Sequence, residues 1–224
     1  MTILGLIGAG NIGGTLAHLA VAANDEVLIS NSRGPETLAE LASELGRQAT
    51  AVTPVEAAAN ADLVVVTVPV RAYPDLPAAA LAGKVVIDTG NYHPARDGQI
   101  QELDSGSMTS GEVLQARLPG ARVVKCFNNI FFRHLQALAR PSGSPERTAL
   151  PIAGDDAGAK ATVASFLNEI GYDAVDAGPL SASSKFQPGA LLYGAVYAGG
   201  SSDFAASPGV PAGSEVIRRL LASA

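Results

Sequence analysis

The chain opens on Thr2-Ile-Leu-Gly-Leu-Ile7, which is followed at once by Gly8-Ala-Gly10-Asn-Ile-Gly13. The apolar run predicts a strand, the glycines predict a tight turn, and the alanine-rich pattern that follows predicts a helix. Gly8 would make the turn, Gly10 would let the backbone approach a phosphate, and Gly13 would let the helix lie close to the sheet. Strand, turn and helix in this order are typical of the first βαβ unit of a dinucleotide-binding domain, whose pyrophosphate lies at the helix N-terminus.

The predicted second strand, residues 26–30, ends without the acidic side chain that binds the ribose hydroxyls of NAD. It leads into Ser30-Asn31-Ser32-Arg33-Gly34, and the first carboxylate after it belongs to Glu36. Hydroxyl, amide and guanidinium groups suit a 2′-phosphate, which an aspartate would repel. The loop therefore predicts NADP(H) as the cofactor. An ordinary polar loop with an exposed arginine is the alternative.

Further apolar segments alternate with helical patterns along the chain. Predicted strands cover residues 49–53, 62–68, 84–88, 122–127, 148–153 and 172–175, and predicted helices cover 35–46, a short stretch from 54, 73–81, 155–171 and 214–222. Apolar strands separated by helices are typical of a parallel sheet that is covered on both faces. We therefore expect a Rossmann-like, doubly wound α/β fold with a mostly parallel sheet. Residues 1–178 would form the NADP-binding domain and residues 179–224 a small C-terminal helical lobe.

The composition argues against several classes of protein. The chain has 224 residues, a net charge of −6 and a single cysteine, Cys126. An acidic surface does not favour nucleic acid, and one cysteine gives neither an internal disulfide nor a thiolate cluster for a metal. No basic leader precedes the first strand, and no apolar run has the eighteen or so residues that span a bilayer. We expect a cytoplasmic protein without membrane insertion, in which Cys126 is a packed core residue.

Two segments depart from the regular alternation. Residues 89–111 form a long polar connection in which Asn91 follows the fifth strand, at the sheet edge where ligands of α/β proteins bind. Residues 189–200 are apolar and rich in glycine, and the segment around them is nearly free of charge apart from Lys185. We expect residues 179–200, with Leu191, Leu192, Tyr193, Val196 and Tyr197, to border the acceptor site and to form a homodimer interface. An intramolecular clasp over the chain's own sheet is the alternative.

Several sequence blocks make the chain similar to a known family. They are Gly8-Ala-Gly-Asn-Ile-Gly13, Ser30-Asn-Ser-Arg33, Val64-Val-Val-Thr-Val-Pro69, Val123-Val-Lys-Cys-Phe-Asn128, Pro151-Ile-Ala-Gly-Asp155 and Asp176-Ala-Gly-Pro-Leu-Ser181. These blocks resemble the NADP oxidoreductases that use the deazaflavin coenzyme F-420. They equally resemble the NADPH-binding cytosolic domain of the six-transmembrane ferric reductases. The resemblance covers about residues 2–182 and implies hydride transfer between NADP(H) and a flavin or deazaflavin acceptor as co-substrate.

The motifs and the resemblance together define a set of predicted cofactor-binding residues. They are Gly8, Gly10, Asn11, Ile12, Gly13, Ser30, Asn31, Ser32, Arg33, Val68, Pro69, Val70, Asn91, Asn128, Asn129 and Ile130. By the resemblance, residues 68–70 line the cofactor, residues 128–130 lie beside the nicotinamide, and residues 180–184 help to shape the acceptor site.

Hydride transfer between two cofactor rings does not require an acid or a base from the protein. Catalytic residues are therefore not assigned, and His134 and Lys125 are weak candidates. Ordinary loop polarity is the alternative for His134. Lys125 would either neutralise cofactor charge or extend its ammonium from the sheet end into solvent. Asp155 and Asp156 are predicted to cap a helix rather than to act as paired catalytic carboxylates.

Two other functions stay open at this point. One is the NADPH-dependent reduction of a small carbonyl or imine substrate. Enzymes of that class usually take their proton donor from a long helical second domain. Only about 45 residues follow Pro179, which is short for such a domain. The other is a non-catalytic NADPH-binding redox sensor, which the sequence does not distinguish from an enzyme.

Overall fold

An eight-stranded sheet runs through the centre of the protein. The computed structural model describes residues 1–224. The strands are β1 (Ile3–Ile7), β2 (Glu26–Ser30), β3 (Ala49–Ala51), β4 (Leu63–Val66), β5 (Val85–Asp88), β6 (Arg122–Lys125), β7 (Ala149–Gly154) and β8 (Asp173–Asp176). Their order is β3-β2-β1-β4-β5-β6-β7-β8, and all neighbours are parallel except the antiparallel pair β6 and β7. The predicted doubly wound α/β fold with a mostly parallel sheet is confirmed.

Helices of very different lengths connect the strands. They are α1 (Asn11–Ala22), α2 (Ala39–Leu45), α3 (Pro54–Asn60), α4 (Ala78–Leu81), α5 (Pro94–Asp97), α6 (Gln101–Asp104), α7 (Ser110–Arg117), α8 (Phe132–Ala137), α9 (Ala157–Glu169) and α10 (Ser214–Ser223). Five short 3₁₀ helices lie at Pro35–Leu38, Gly46–Gln48, Val70–Asp75, Leu180–Phe186 and Ala195–Ala198.

Alternate residues of the central strands face two separate cores. In β4, Leu63 and Val65 belong to the larger core, and Val64 and Val66 belong to the smaller one. Successive side chains of a strand point to opposite faces of the sheet, so a continuously apolar strand is buried on both sides. The larger core packs against α1 and α9, and the smaller core against α3, α4 and α7.

The predicted segments differ from the observed ones where local chemistry interrupts a helix. The helix predicted over 73–81 is instead the 3₁₀ helix Val70–Asp75 followed by α4, because Pro74 and Pro77 have no N–H with which to continue an α-helix. The connection over 89–111 contains α5, α6 and the start of α7. A capping box begins α7, in which Thr109 Oγ1 accepts from the backbone N–H of Glu112 and the Glu112 carboxylate accepts from the N–H of Thr109.

Asp155 and Asp156 both form structural hydrogen bonds at the end of β7. Asp156 caps α9, as predicted, by accepting from the backbone N–H of Ala159 at 2.6 Å. Asp155 accepts from the backbone N–H of Leu180 at 2.9 Å and so ties this corner to the C-terminal segment.

The C-terminal segment packs on the larger core rather than apart from it. Leu192 and Tyr197 are fully buried, and the Tyr197 hydroxyl donates to the carbonyl oxygen of Ala149 at 3.0 Å. Helix α10 adds further apolar side chains to the same core. Leu191 alone among the large apolar residues of this run is well exposed, at 58%. The expected dimer surface therefore needs correction, since the chain's own sheet covers Leu192 and Tyr197 in an intramolecular clasp.

The structure also bears on Cys126, on membrane-spanning helices and on metal sites. Cys126 is fully buried, which confirms it as a core residue, and burial raises the pKa of its thiol. None of the helices combines the length and the hydrophobicity that a bilayer crossing requires. No three His, Cys, Asp or Glu side chains are grouped closely enough to hold a metal ion.

Candidate functional site

The three glycines of the turn between β1 and α1 differ in the space that a side chain would find at their positions. Gly8 has a φ of +111°, and a Cβ there would overlap the carbonyl oxygen of Thr67. A Cβ at Gly13 would overlap the carbonyl oxygen of Gly8, so α1 approaches β1 only because no side chain stands between them. A Cβ at Gly10 would meet nothing within 4 Å. The fold thus requires Gly8 and Gly13, whereas the space above Gly10 is open to a ligand.

The N-terminus of α1 lies at this open space without a side-chain cap. Gly10 is the N-cap residue, and the first turn of the helix carries no acidic side chain. The first helical hydrogen bond runs from the N–H of Gly14 to the carbonyl oxygen of Gly10 at 2.8 Å. Earlier N–H groups at a helix start have no intrahelical acceptor, and the helix dipole is positive there. This geometry fits a pyrophosphate.

The loop after β2 takes its shape from Asn31. Its Oδ1 accepts from the backbone N–H groups of Arg33 at 2.8 Å and Gly34 at 3.0 Å. Its Nδ2 donates to Thr37 Oγ1 at 2.9 Å. The side chain of Asn31 is therefore engaged within the loop, which it holds in a defined turn.

The remaining side chains of this loop differ in what they can reach. Ser30 is fully buried and donates its hydroxyl to the carbonyl oxygen of Leu6 at 2.8 Å, so its side chain is not available to a cofactor. Ser32 and Arg33 are exposed, and the Arg33 guanidinium takes part in no ion pair. These two side chains are the ones that can bind a 2′-phosphate.

A cleft of about 250 Å³ lies beside the start of α1. Its lining residues are Asn11, Ile12, Thr89, Asn91, Phe127, Asn128, Asn129, Ile130, Phe131, Phe132, Tyr193, Gly194 and Phe204. The wall is built mainly from aromatic rings and side-chain amides, and its single ionisable side chain is Tyr193. The fold thus brings the predicted residues Asn11, Ile12, Asn91 and 128–130 into one site.

Two asparagines form a bridge across the cleft wall. Asn91 Nδ2 donates to the backbone carbonyl of Asn128 at 2.7 Å, and Asn128 Nδ2 donates to Asn91 Oδ1 at 3.2 Å. The Oδ1 atoms of Asn128 and Asn129 are buried and have no hydrogen-bond partner. A buried acceptor without a partner costs about 1–3 kcal/mol. A ligand that donates an N–H to these oxygens would remove that cost.

Phe127 turns the chain from β6 into this wall. Its φ is 63°, a left-handed conformation that is uncommon for a residue other than glycine. The side chain is fully buried and packs edge-on against Phe166, with the ring centroids 6.4 Å apart. Such conformations persist only where packing enforces them, and they cluster at ligand sites.

The segment after β4 contributes less than the sequence predicts. Val70 is 2% exposed and belongs to the smaller core. Val68 and Pro69 are half-buried, and none of the three residues lines the cleft. Val70 is therefore a core residue, and only Val68 and Pro69 have surface to offer a ligand.

Neither candidate for acid or base chemistry lines the cleft. His134 is buried, with Nε2 2.9 Å from the carbonyl oxygen of Ser207 and its ring packed against Phe131. Lys125 is 1% exposed, and its Nζ lies 2.8 Å from Asp88 Oδ2. Burial lowers the pKa of the Lys125 ammonium, and the Asp88 carboxylate opposes that shift. Lys125 therefore neither extends into solvent nor lies where it could contact a ligand's charge.

Sequence reasoning missed four aromatic residues of the wall, which are Phe127, Phe131, Phe132 and Phe204. Phe131 and Phe132 directly follow the predicted residues 128–130, and this position in the sequence could have identified them as residues of the site. Nothing local marks Phe204. The clasp brings it against Tyr193, with the ring centroids 6.2 Å apart.

The sheet order and the glycine turn define a Rossmann-type fold of the class that binds dinucleotides. Residues 3–92 match the model of the family described as NADP oxidoreductase, coenzyme F420-dependent. The chain belongs to this family of NADP oxidoreductases, as the sequence blocks indicated.

Several solved structures are similar to this chain over most of its length. A hypothetical protein from Sinorhizobium meliloti is 32% identical, with 86% of this chain and 93% of that chain covered and a TM-score of 0.75. A proposed F420-dependent NADP reductase from Arthrobacter sp. FB24 is 27% identical, with 83% and 87% covered and a TM-score of 0.68. An imine reductase from Streptomyces aurantiacus shares the fold at 16% identity, with 82% and 59% covered and a TM-score of 0.57. No curated protein sequence gives a significant match.

Proposed function

We propose that this protein transfers hydride between NADP(H) and a flavin or deazaflavin acceptor. The observation that carries the proposal is the wall of the cleft, which consists mainly of aromatic and amide side chains. Flat aromatic surfaces suit a planar ring, and transfer between two rings needs no acid or base from the protein. The coenzyme in the family description supports a deazaflavin as one acceptor of this kind.

The chain offers separate groups for separate parts of NADP(H). The uncapped start of α1 above Gly10 suits the pyrophosphate, and Ser32 and Arg33 suit the 2′-phosphate. The partnerless oxygens of Asn128 and Asn129 suit the N–H groups of the nicotinamide carboxamide. When bound, NADPH supplies the hydride, and the acceptor ring takes up its pair of electrons.

The protein's own contribution is orientation and the exclusion of water. Hydride transfer requires the reacting atoms to be held about 3–3.5 Å apart. The Asn91–Asn128 bridge gives one wall of the cleft a fixed position. The rings of Phe131, Phe132 and Phe204 line the cleft, and with both substrates bound they would exclude water from the reacting atoms.

Anaerobic stopped-flow measurements would test this proposal. The protein is mixed with NADPH and one acceptor at a time, which is FMN, FAD or a deazaflavin. Reduction of the acceptor ring is followed by its absorbance. We expect hydride transfer to at least one of these rings. Tight binding of NADPH without reduction of any ring would contradict the proposal and favour a redox sensor.

One observation favours a second candidate, the reduction of a small carbonyl or imine. Tyr193 lines the cleft, and burial raises the pKa of its phenol. The phenol therefore stays protonated at neutral pH and could donate a proton to the reduced substrate.

The variant Tyr193→Phe separates the two candidates, because it removes the proton and keeps the ring. A proton donor contributes about 10²–10⁴-fold to the rate. A loss of that size with a carbonyl or imine substrate would support the second candidate. Transfer to a flavin or deazaflavin should change little.

We also propose a homodimer, held through a smaller surface than the sequence predicts. Leu191 is exposed, and the half-buried Tyr193 and Val196 lie close to it in the chain. Leu191→Asp should shift the protein towards the monomer in light scattering at micromolar concentration, and Leu191→Ala serves as the control. A monomeric parent protein would refute the dimer.

A further inference from the structure

A buried ion pair lies beneath the wall of the cleft. Asp88 ends β5 and Lys125 ends β6, and the two residues are direct neighbours in the sheet register. Both side chains are almost completely buried, and Lys125 Nζ lies 2.8 Å from Asp88 Oδ2. Neither residue lines the cleft, so the pair does not contact a ligand there.

Both members of the pair hold the backbone of Gly90. The N–H of Gly90 donates to Asp88 Oδ1 at 2.7 Å, and the Lys125 ammonium donates to the carbonyl oxygen of Gly90. The Tyr73 hydroxyl donates to Asp88 Oδ1 at 2.9 Å, and Lys125 also donates to Ser110 Oγ at 2.8 Å. A Cβ at Gly90 would overlap the Tyr73 hydroxyl. The backbone at this position is thus held on both sides and packed too closely for a side chain.

Gly90 connects two residues of the cleft wall. Thr89 and Asn91 flank it, and both line the cleft. Asn91 in turn donates to the backbone carbonyl of Asn128, whose Oδ1 is buried without a partner. A displacement of Gly90 would therefore move Asn91 directly and Asn128 through it.

The hydrogen bonds of Lys125 exclude a direct role towards a ligand. An ammonium has three N–H donors. Those of Lys125 are taken up by Asp88, Gly90 and Ser110. A buried ion pair adds little net stability, because desolvation of the two charges offsets their attraction. The ion pair therefore affects the site through geometry, because it fixes the position of Gly90.

We propose that Asp88 and Lys125 are positioning residues, which hold Gly90 so that Asn91 and Asn128 keep the geometry needed for hydride transfer. This inference rests on the proposed function. Its structural part, that the pair immobilises residues 89–91, concerns the protein alone and can be measured without a substrate.

The test compares Lys125→Met with a matched control, Lys84→Met. Lys84 directly precedes β5 and donates to the carbonyl oxygens of Ala59 at 3.1 Å and Ala61 at 2.7 Å, at the opposite end of the strand from Asp88. Both variants remove a lysine that holds backbone carbonyls, but only one of them lies under the cleft.

Three measurements are made on each variant. Hydrogen exchange followed by mass spectrometry on the protein alone should show faster exchange in peptides covering 89–91 for Lys125→Met and not for Lys84→Met. A misplacement of about 1 Å can lower a rate about a hundredfold. We therefore expect kcat for hydride transfer to fall by about that factor in Lys125→Met only. The Kd of adenosine 2′,5′-bisphosphate, which probes the loop after β2, should stay unchanged in both.

The double variant Asp88→Asn/Lys125→Met covers the case in which Lys125→Met does not fold. It leaves no unpaired buried charge, and the asparagine keeps an acceptor for Gly90 and Tyr73. Unchanged exchange at 89–91 and unchanged kcat in a folded variant would overturn the inference. If the parent protein transfers hydride to no acceptor, the proposed function fails. The exchange result then still decides whether the pair immobilises residues 89–91.

Discussion

Gly10 and Gly13 lie in one turn of the chain, and a side chain would have opposite effects at the two positions. A valine at Gly10 would enter open space, and one at Gly13 would overlap the backbone of Gly8. Gly10→Val should therefore keep the Tm of the parent and abolish NADPH binding in calorimetry. Gly13→Val should lower the Tm. Normal NADPH binding by Gly10→Val would show that the pyrophosphate lies elsewhere.

Arg33 is the residue on which the preference for NADPH should depend. It is exposed, unpaired and held in a loop whose turn Asn31 stabilises. A charge-assisted hydrogen bond contributes about 1.5–3 kcal/mol. Arg33→Ala should weaken NADPH binding about ten- to a hundredfold and leave NADH binding nearly unchanged in calorimetric titrations. Equal losses for both cofactors would contradict the assignment of the 2′-phosphate site.

Single residues also show where sequence reasoning stops. The roles of Gly8 and Gly13 follow from the motif, because they depend on a few adjacent residues. Ser30 and Lys125 look like available polar groups in the sequence, yet both are buried and bonded to other strands or loops. Their partners are far away along the chain, so no local pattern reveals them.

Among the elements, the connection between β5 and α7 depends on one carboxylate. Asp97 accepts from Arg96 Nη2 at 2.8 Å, from Arg96 Nε at 3.0 Å and from the backbone N–H of His93 at 2.9 Å. Burial raises the pKa of Asp97. The hydrogen bonds from Arg96 and His93 outweigh that effect, so the pKa lies below its usual value.

This lowered pKa gives the connection a defined pH dependence. A carboxyl whose pKa is lower in the folded state stabilises the protein above its unfolded pKa of about 3.9, and that stabilisation is lost as the pH falls through the folded value. Asp97→Asn should lower the free energy of unfolding by about 1–3 kcal/mol at pH 7. In urea titrations the difference from the parent should shrink below about pH 4. A difference that is constant down to pH 2 would contradict this account.

Sequence analysis predicts an element well where a short apolar pattern or a capping residue determines its position. Strands β1, β4 and β5, helix α1 and the cap of α9 all follow from short patterns. Helix α7 was missed although its capping box, Thr109 with Glu112, is visible in the sequence. The sequence offers the C-terminal clasp only as the alternative to a dimer interface, because an apolar run with many glycines has no periodicity to show which surface it covers.

At the scale of the whole molecule, the cleft combines residues from four parts of the chain. The start of α1, the end of β5 and the turn after β6 were each predicted, since all lie at the carboxyl edge of the sheet. The fourth part, from Tyr193 to Phe204, belongs to the clasp. The sequence predicts that the run containing Tyr193 borders the site, whereas the position of Phe204 depends on packing between distant segments and becomes known only with the fold.

The clasp also has a consequence for a chain that is still being made. Synthesis proceeds from the N-terminus, so the glycine turn and the loop after β2 leave the ribosome long before Tyr193 and Phe204. A nascent chain that ends before residue 190 has the groups that we propose for the phosphates and lacks one wall of its cleft. On the proposed assignment, the residues for the phosphates are thus synthesised before the wall that completes the cleft.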